Sequence, residues 1–209
     1  VWLDEHQMGS NGARIFVMPA TDPINPNVHP LVYRWNGLFG QAQGAALDPD
    51  AIRILTWNIH KQQDDGWADD LTRFAAANDV LLLQAVALVD ALQTVLRSAG
   101  LRFVMGSSFV YDAAEFGVLT ATRVEPVAAC TQRIEEPLLR IPKSAVITWL
   151  PLAGTRHTLA VANVHSINFS LSLETYEDQL AALADVLAQH EGPILLGGDL
   201  NTWSQARRA

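Results

Sequence analysis

The stretch Leu195-Leu196-Gly197-Gly198-Asp199-Leu200-Asn201-Thr202 decides how this chain is read. Ile194-Leu195-Leu196 reads as a buried strand, Gly197-Gly198 as a turn, and Asp199 and Asn201 as polar groups at the strand end. Residues i and i+2 of an extended segment point the same way. On that geometry Asp199 and Asn201 project into one small volume. An acid that can take a proton, beside an amide that can orient an oxygen, suits hydrolysis at phosphorus near a divalent metal. A strand end closed by an Asx-type turn accounts for the same octet.

Upstream, from Ala51 onward, strands alternate with helices. Ile52 to Asn58 is a strand with a polar end, and Val80 to Gln84 is a short apolar strand of the kind covered on both faces. Trp67, Leu71, Phe74 and Ala75 recur at helical spacing. Leu88, Leu92, Val95 and Leu96 mark a second helix, stopped by Gly100. Phe103 to Val110 and Phe116 to Thr122 are further strands, and Ala145–Leu150 with Thr158–Val164 forms a hairpin around Pro151 and Gly154. Tyr176, Leu180, Leu183 and Leu187 predict a third helix, with Ser172 as N-cap and Gly192 just past its end. Hairpin-linked strands outnumbering helices predict stacked mixed sheets with helices outside.

With 209 residues, 49% hydrophobic and 17% charged, the chain supports one sizeable core. The net charge of -8 brings no counterion-release gain on a polyanion, so a phosphate ester needs a metal ion or a local basic patch. The single cysteine, Cys130, excludes an internal disulfide and fits a reducing, cytoplasmic compartment. No apolar run reaches membrane-spanning length and no secretory pattern is present. The chain opens on Val1 rather than Met, which leaves room for a preceding segment. Residues 1–50 differ from the rest. Four prolines between Pro19 and Pro30 disfavour helix and central strand, so this part reads as short strands and loops, packed on the core by Trp2, Trp35 and Phe39. Residues 51–209 form the main domain.

Four strand ends carry polar groups: Asn58, Gln84-Ala85, Asn163-Val164-His165 and Asp199-Leu200-Asn201. Polar ends of apolar strands gather on a rim, where sites form. The runs Thr56-Trp57-Asn58-Ile59, Leu81-Leu82-Leu83-Gln84, Asn163-Val164-His165 and Gly198-Asp199-Leu200-Asn201-Thr202, in this order, resemble the endonuclease/exonuclease/phosphatase superfamily. With His60-Lys61-Gln62-Gln63, Glu136-Pro137-Leu138-Leu139-Arg140, Lys143-Ser144-Ala145 and Ser166 to Leu171, they look most like its bacterial YafD-like branch. The likeness spans roughly residues 50 to 207. It implies a DNase I-like α+β fold, a four-layer α/β/β/α sandwich of two mixed sheets.

The resemblance also implies roles. Asn58 would sit by metal and scissile phosphate, Asp199 would activate the attacking water, and Asn201 would hold a phosphate oxygen or help position the metal. His165 would contact phosphate or act as an acid near the leaving oxygen. Lys143 and Arg140 are the basic candidates for phosphate contact, and a solvated strand edge explains them about as well. Asn168 joins them as a substrate-side candidate whose chemistry goes no further than ordering its loop. A strand-end cap at Asn58 and a packed imidazole at His165 are the plain alternatives. The implied cofactor is Mg²⁺, with Mn²⁺ as a substitute, held by Asn58, Asp199, Asn201 and the residue at position 85.

Two departures from the family pattern stand out. The family's metal-binding glutamate is here Ala85, which coordinates nothing. No neighbouring acid replaces it, since Asp90 lies on the next helix and Glu115 in another loop. Substitution to silence an enzyme and natural degeneracy both produce such an alanine. The chain also stops at Ala209, before the further Asp and the Asp-His pair of the family. The expectation is that strands of the second sheet are absent here, supplied by a missing C-terminal segment or by another chain. The reading is then a metal-dependent phosphoesterase impaired in this form. Its alternatives are a degenerate phosphate- or nucleic-acid-binding module and a surface-only interaction scaffold. The substrate stays open among nucleic acid, phospholipid and inositol phosphate.

Overall fold

The computed structural model describes residues 17–19, 28–33, 45–170 and 173–208. Two mixed sheets stack face to face. In the first, β3 (Ile54–Asn58) lies parallel to β4 (Val80–Ala87). β4 pairs antiparallel with β6 (Ala114–Thr122), and β6 with β5 (Arg102–Tyr111). The second sheet has the order β1-β2-β7-β8-β9-β10. Its strands are β1 (Val17–Pro19), β2 (Val28–Tyr33), β7 (Ala128–Glu135), β8 (Pro142–Pro151), β9 (Thr158–His165) and β10 (Ile194–Asp199). All its pairs are antiparallel except β9–β10, which is parallel.

Alternation along the strands sorts side chains into layers. Val80 and Leu82 of β4 meet Leu150, Leu159, Val161 and Leu195 between the sheets. Leu81 and Leu83 point the other way, against Leu71 and Ala75 of α1 (Trp67–Ala77) and Leu92 and Leu96 of α2 (Asp90–Ser98). On the far side, Leu183 and Leu187 of α3 (Glu174–Leu187) cover Ala145, Ile147, Ala160 and Ala162. The result is the α/β/β/α layering that the sequence implied.

Several expectations change. Ile194-Leu195-Leu196 does form a strand, but not a buried one: Ile194 is 47% and Leu196 50% exposed. β10 pairs only with β9 among the described strands, so Leu195 faces the core while its neighbours face outward. Gly192 does not cap α3, which ends at Leu187, five residues earlier, with Ala188 as its C-cap in ordinary helical geometry. Close approach explains this glycine instead, because a Cβ there would press on the His190 ring and the Thr158 carbonyl. Pro30 lies in a strand with neighbours on both sides. It is tolerated because β1 pairs only with Leu31–Tyr33, leaving Pro30 with Gln132 of β7 as its sheet partner. β7 was not anticipated. Ser172, Trp2, Trp35 and Phe39 fall outside the described residues.

Cys130 of β7 is free and buried, and burial pushes its thiol up to about 11. No helix among the described residues is long and apolar enough to cross a membrane.

Candidate active site

The C-terminal ends of β3, β4, β9 and β10 share one rim of the sandwich. Parallel pairing sets Asn58 beside Gln84 and His165 beside Asp199. Across the sheets, Asn58 Nδ2 donates to Asp199 Oδ2 at 2.8 Å, and His165 Nε2 lies 3.8 Å from the same oxygen. Lys143, at the start of β8, brings Nζ to 3.1 Å from His165 Nε2. One carboxylate, one amide, one imidazole and one ammonium therefore meet in a chain of contacts.

Charge fixes the proton positions. The Lys143 ammonium has only hydrogens to offer, so Nε2 of His165 accepts and the ring proton sits on Nδ1. Burial, then Lys143, pushes His165 down to about 4, with Lys61 adding to the effect and Asp199 opposing it. The ring is neutral near pH 7. An imidazolium acid at the leaving oxygen is therefore not what this arrangement holds; a neutral acceptor for Lys143 is. Burial also lowers the Lys143 ammonium, while Glu136 and Asp199 counter it.

Asp199 and Asn201 do come together, but not as neighbours on an extended strand. The strand ends at Asp199, whose Oδ1 accepts the Asn201 N–H at 3.1 Å, and Asn201 turns left-handed with φ 48°. The Asx-type turn is thus what the octet forms. Asn201 Nδ2 then donates to the Ser166 carbonyl at 2.8 Å, tying the β10 end to the loop after β9. Gly198 makes this possible: at φ 140°, any Cβ would collide with the Val164 carbonyl of the neighbouring strand.

Left-handed backbone gathers here. Six of the eight non-glycine residues with positive φ among the described residues lie on this rim: His60, Lys61, Gln62, Ala85, Arg140 and Asn201. The other two, Asp112 and Ala113, make the tight β5–β6 turn, where such geometry is ordinary. Each left-handed residue costs on the order of 1 kcal/mol, and such strain persists where surroundings over-determine it. At His60–Gln62 the holding contacts are His60 N–H to Asn58 Oδ1 at 3.1 Å and the Ala87 N–H to Gln62 Oε1 at 3.0 Å.

Ala85 is the bulged residue of β4, where pairing with β6 shifts between Leu83 and Val86. It follows Gln84, the partner of Asn58, so its backbone lies at the same strand end. Its methyl offers no ligand. Asp199 is the one carboxylate in the chain of contacts, and among the described residues no three of His, Cys, Asp and Glu stand together. The Asn58 amide is turned so that nitrogen faces Asp199 and oxygen faces the His60 N–H, the reverse of what a cation requires. An ammonium already stands by the histidine. The residues present do not fit a hard divalent ion, which needs several converging oxygens.

The other substrate-side candidates separate. Arg140 is exposed, in the turn between β7 and β8, and its guanidinium has no ion pair or hydrogen bond among the described residues. Asn168 belongs to the scaffold: its oxygen accepts Trp203 Nε1 at 2.8 Å, and its N–H and that of Phe169 both reach Glu136 Oε1 at 2.7 Å. Sequence reading missed this scaffold. Glu136 is buried, and so is Arg207, whose guanidinium lies between the Tyr176 and Trp203 rings and donates to the carbonyls of Ile167, Asn168 and Asn201. Gln179 of α3 takes the Ile167 N–H at 2.9 Å. Only the quoted Glu136 run and the loop-ordering expectation for Asn168 hinted at any of this, since lone polar residues carry no period. Lys61 was also missed as a charge acting on His165 and Lys143.

A second polar device joins the sheets beneath the rim. Gln84 Nε2 donates to Asn163 Oδ1 at 2.7 Å, and Asn163 Nδ2 donates to the Leu119 and Leu83 carbonyls at 3.0 and 3.2 Å. These carbonyls lie where the β4 bulge interrupts the ladder, so the side chain supplies bonds the strands lose.

Comparison with known proteins agrees with this architecture. The model of the Endonuclease/Exonuclease/phosphatase family matches residues 55–208. A UPF0294 protein of Vibrio campbellii (strain ATCC BAA-1116) is 40% identical over 166 residues, 79% of this chain and 58% of that protein. The chain thus spans little more than half of that relative. The human Nocturnin catalytic domain, solved with a bound sulfate anion, superposes with a TM-score of 0.56 at 18% identity, over 76% of this chain and 67% of that one. An endonuclease/exonuclease/phosphatase family protein from Leptotrichia buccalis gives 0.54 at 17% identity, over 76% and 72%. At these identities the solved structures speak to fold alone.

Proposed function

Since the chain belongs to the endonuclease/exonuclease/phosphatase family, we propose that its rim is the phosphoryl site of a phosphodiester or phosphomonoester hydrolase, impaired because position 85 lacks a carboxylate. The observation that carries this reading is the convergence of Asn58, Lys143, His165 and Asp199 through contacts of 2.8, 3.1 and 3.8 Å. Family membership supports the reaction class, and a single buried-thiol cysteine is compatible with a reducing, cytoplasmic setting.

The chemistry follows from the groups present. The Asp199 carboxylate accepts a proton from a water that attacks phosphorus in line. The Lys143 ammonium and the Asn58 amide donate to phosphoryl oxygens as negative charge grows on them. Neutral His165 holds Lys143 in place through Nε2. The P–O bond to the leaving group breaks, and its oxygen takes a proton from solvent. No step runs through a metal, because the ligand set here does not hold one.

A second reading rests on the same Ala85 and on the orientation of Asn58: a module that keeps a phosphate-shaped hollow without turnover. Hydrolysis of phosphodiester and phosphomonoester substrates by Ala85→Glu in the full-length protein, with and without Mg²⁺, separates the two. The hydrolase reading expects metal-dependent turnover in Ala85→Glu that a further Asp199→Ala removes. Absence of turnover on every substrate class, with metal demonstrably bound, leaves the binding module.

A further inference from the structure

Five bulky apolar side chains stand out from the rim beside this cluster. Leu138, Leu139 and Ile141 crown the turn between β7 and β8, and Phe169 and Trp203 sit on the loops after β9 and β10. All five are exposed, and four are at least half-exposed. Single exposed apolar residues are ordinary, whereas a contiguous group rimmed by polar residues marks an interaction surface. Here the loops are tied into one surface. Glu136, at the base of the turn, takes the Asn168 and Phe169 N–H groups, and Trp203 donates to Asn168. The turn is also closed on itself, with Arg140 N–H to the Glu136 carbonyl at 2.8 Å and Glu136 N–H to the Ile141 carbonyl at 3.2 Å. Its leucines are held outward rather than folded onto the core.

The order of polarity across this surface bears on what it could meet. Outermost is the apolar crown. Arg140 lies within it, and Lys143, two residues past Ile141, lies at its inner edge, 3.1 Å from His165. Asp199 is innermost. A phospholipid layer presents the complementary order, with apolar chains at depth and anionic phosphates at the surface. Tryptophan and other amphipathic rings favour that boundary. A nucleic acid fits less well: Phe169 and Trp203 could stack on bases, but the three residues of the turn, Leu138, Leu139 and Ile141, are aliphatic and do not, and a chain of net charge -8 gains nothing along a polyanion.

We propose that the 138–141 crown, with Phe169 and Trp203, docks the protein on a phospholipid surface and delivers a phosphoester headgroup to the Lys143–His165–Asp199 cluster. This deepens, and rests on, the phosphoryl-site reading above.

The test is partitioning of the full-length protein onto large vesicles of phosphatidylcholine, with and without phosphatidylglycerol. Sedimentation with vesicles is expected, with a blue shift of tryptophan emission that Trp203→Phe removes. The exposed double variant Leu138→Gln/Leu139→Gln is expected to lose on the order of tenfold or more in partitioning, the scale of burying leucine side chains, with inorganic phosphate binding unchanged. The proposal is overturned by absence of vesicle binding or by partitioning that the double variant leaves intact. It is equally overturned by single-stranded oligonucleotide binding in preference to vesicles, or by self-association that the double variant abolishes. Turnover plays no part in these readouts. A vesicle-bound but inert Ala85→Glu protein would count against the hydrolytic reading alone, and a hydrolase that ignores vesicles against this proposal alone.

Discussion

His165 shows how a residue's identity and its behaviour part company. Its place in the Asn163-Val164-His165 run was plain in the sequence, and an imidazole invites an acid–base role. Its environment decides otherwise. Burial and the neighbouring Lys143 hold it at about 4, and neither can be seen from a single run of residues. Removing Lys143 takes away the second-largest of these causes, so Lys143→Ala raises the His165 value, as NMR titration of the ring in metal-free protein will show. An unchanged or lower value would contradict the account. The sign for stability follows. An unfolded ring takes its proton near 6.5 and the folded one near 4, so between those values the unfolded chain binds the extra proton and acid weakens the fold. Ala85 makes the complementary point. Its loss of a carboxylate was legible from the sequence, whereas the amide of Asn58, turned nitrogen-first toward Asp199, was not.

Elements repeat the lesson with period in place of charge. The β8–β9 hairpin and α1–α3 were readable because alternation and 3.6-residue stripes report which face is buried. β10 was misread because three successive apolar residues look the same in a core strand and in one paired, among the described strands, on a single side. Short range also hid the bulge at Ala85, which depends on how β4 meets β6. The Gln84–Asn163 pair that compensates it links residues 79 apart in sequence. That pair fixes the β4 end, with Asn58 beside it, against the β9 end that carries His165. Asn163→Ala removes the donor to the Leu83 and Leu119 carbonyls, at roughly 1–3 kcal/mol for each buried group left unpaired, while Gln84 Nε2 keeps the Leu82 carbonyl at 2.9 Å and Thr56 Oγ1 at 3.2 Å. Thermal or urea unfolding should show a loss of that order, while Gln63→Ala, at an exposed position, should cost little. A loss below about 0.5 kcal/mol, the range of an ordinary surface change, would remove the pair from its role as the inter-sheet tie.

At the scale of the molecule, the sandwich brings four strand ends together that the sequence separates by up to 141 residues, as between Asn58 and Asp199. The order of motifs carried the fold, since each end had to reach the same rim for the resemblance to hold. What sequence could not give was the setting: a buried Glu136 and Arg207 locking the loops, left-handed backbone along the rim, and local cations within a chain of net charge -8. The central claim is that position 85 shares the rim with Asn58 and Asp199, so that a carboxylate there would join Asp199 at one site. Calorimetric titration of Mg²⁺ tests it most directly. The account predicts no saturable binding to the chain with Ala85, one-site binding to Ala85→Glu, and loss of that binding on adding Asp199→Asn. Equal Mg²⁺ binding with alanine and glutamate at position 85, or binding by Ala85→Glu that is indifferent to Asp199→Asn, would contradict it.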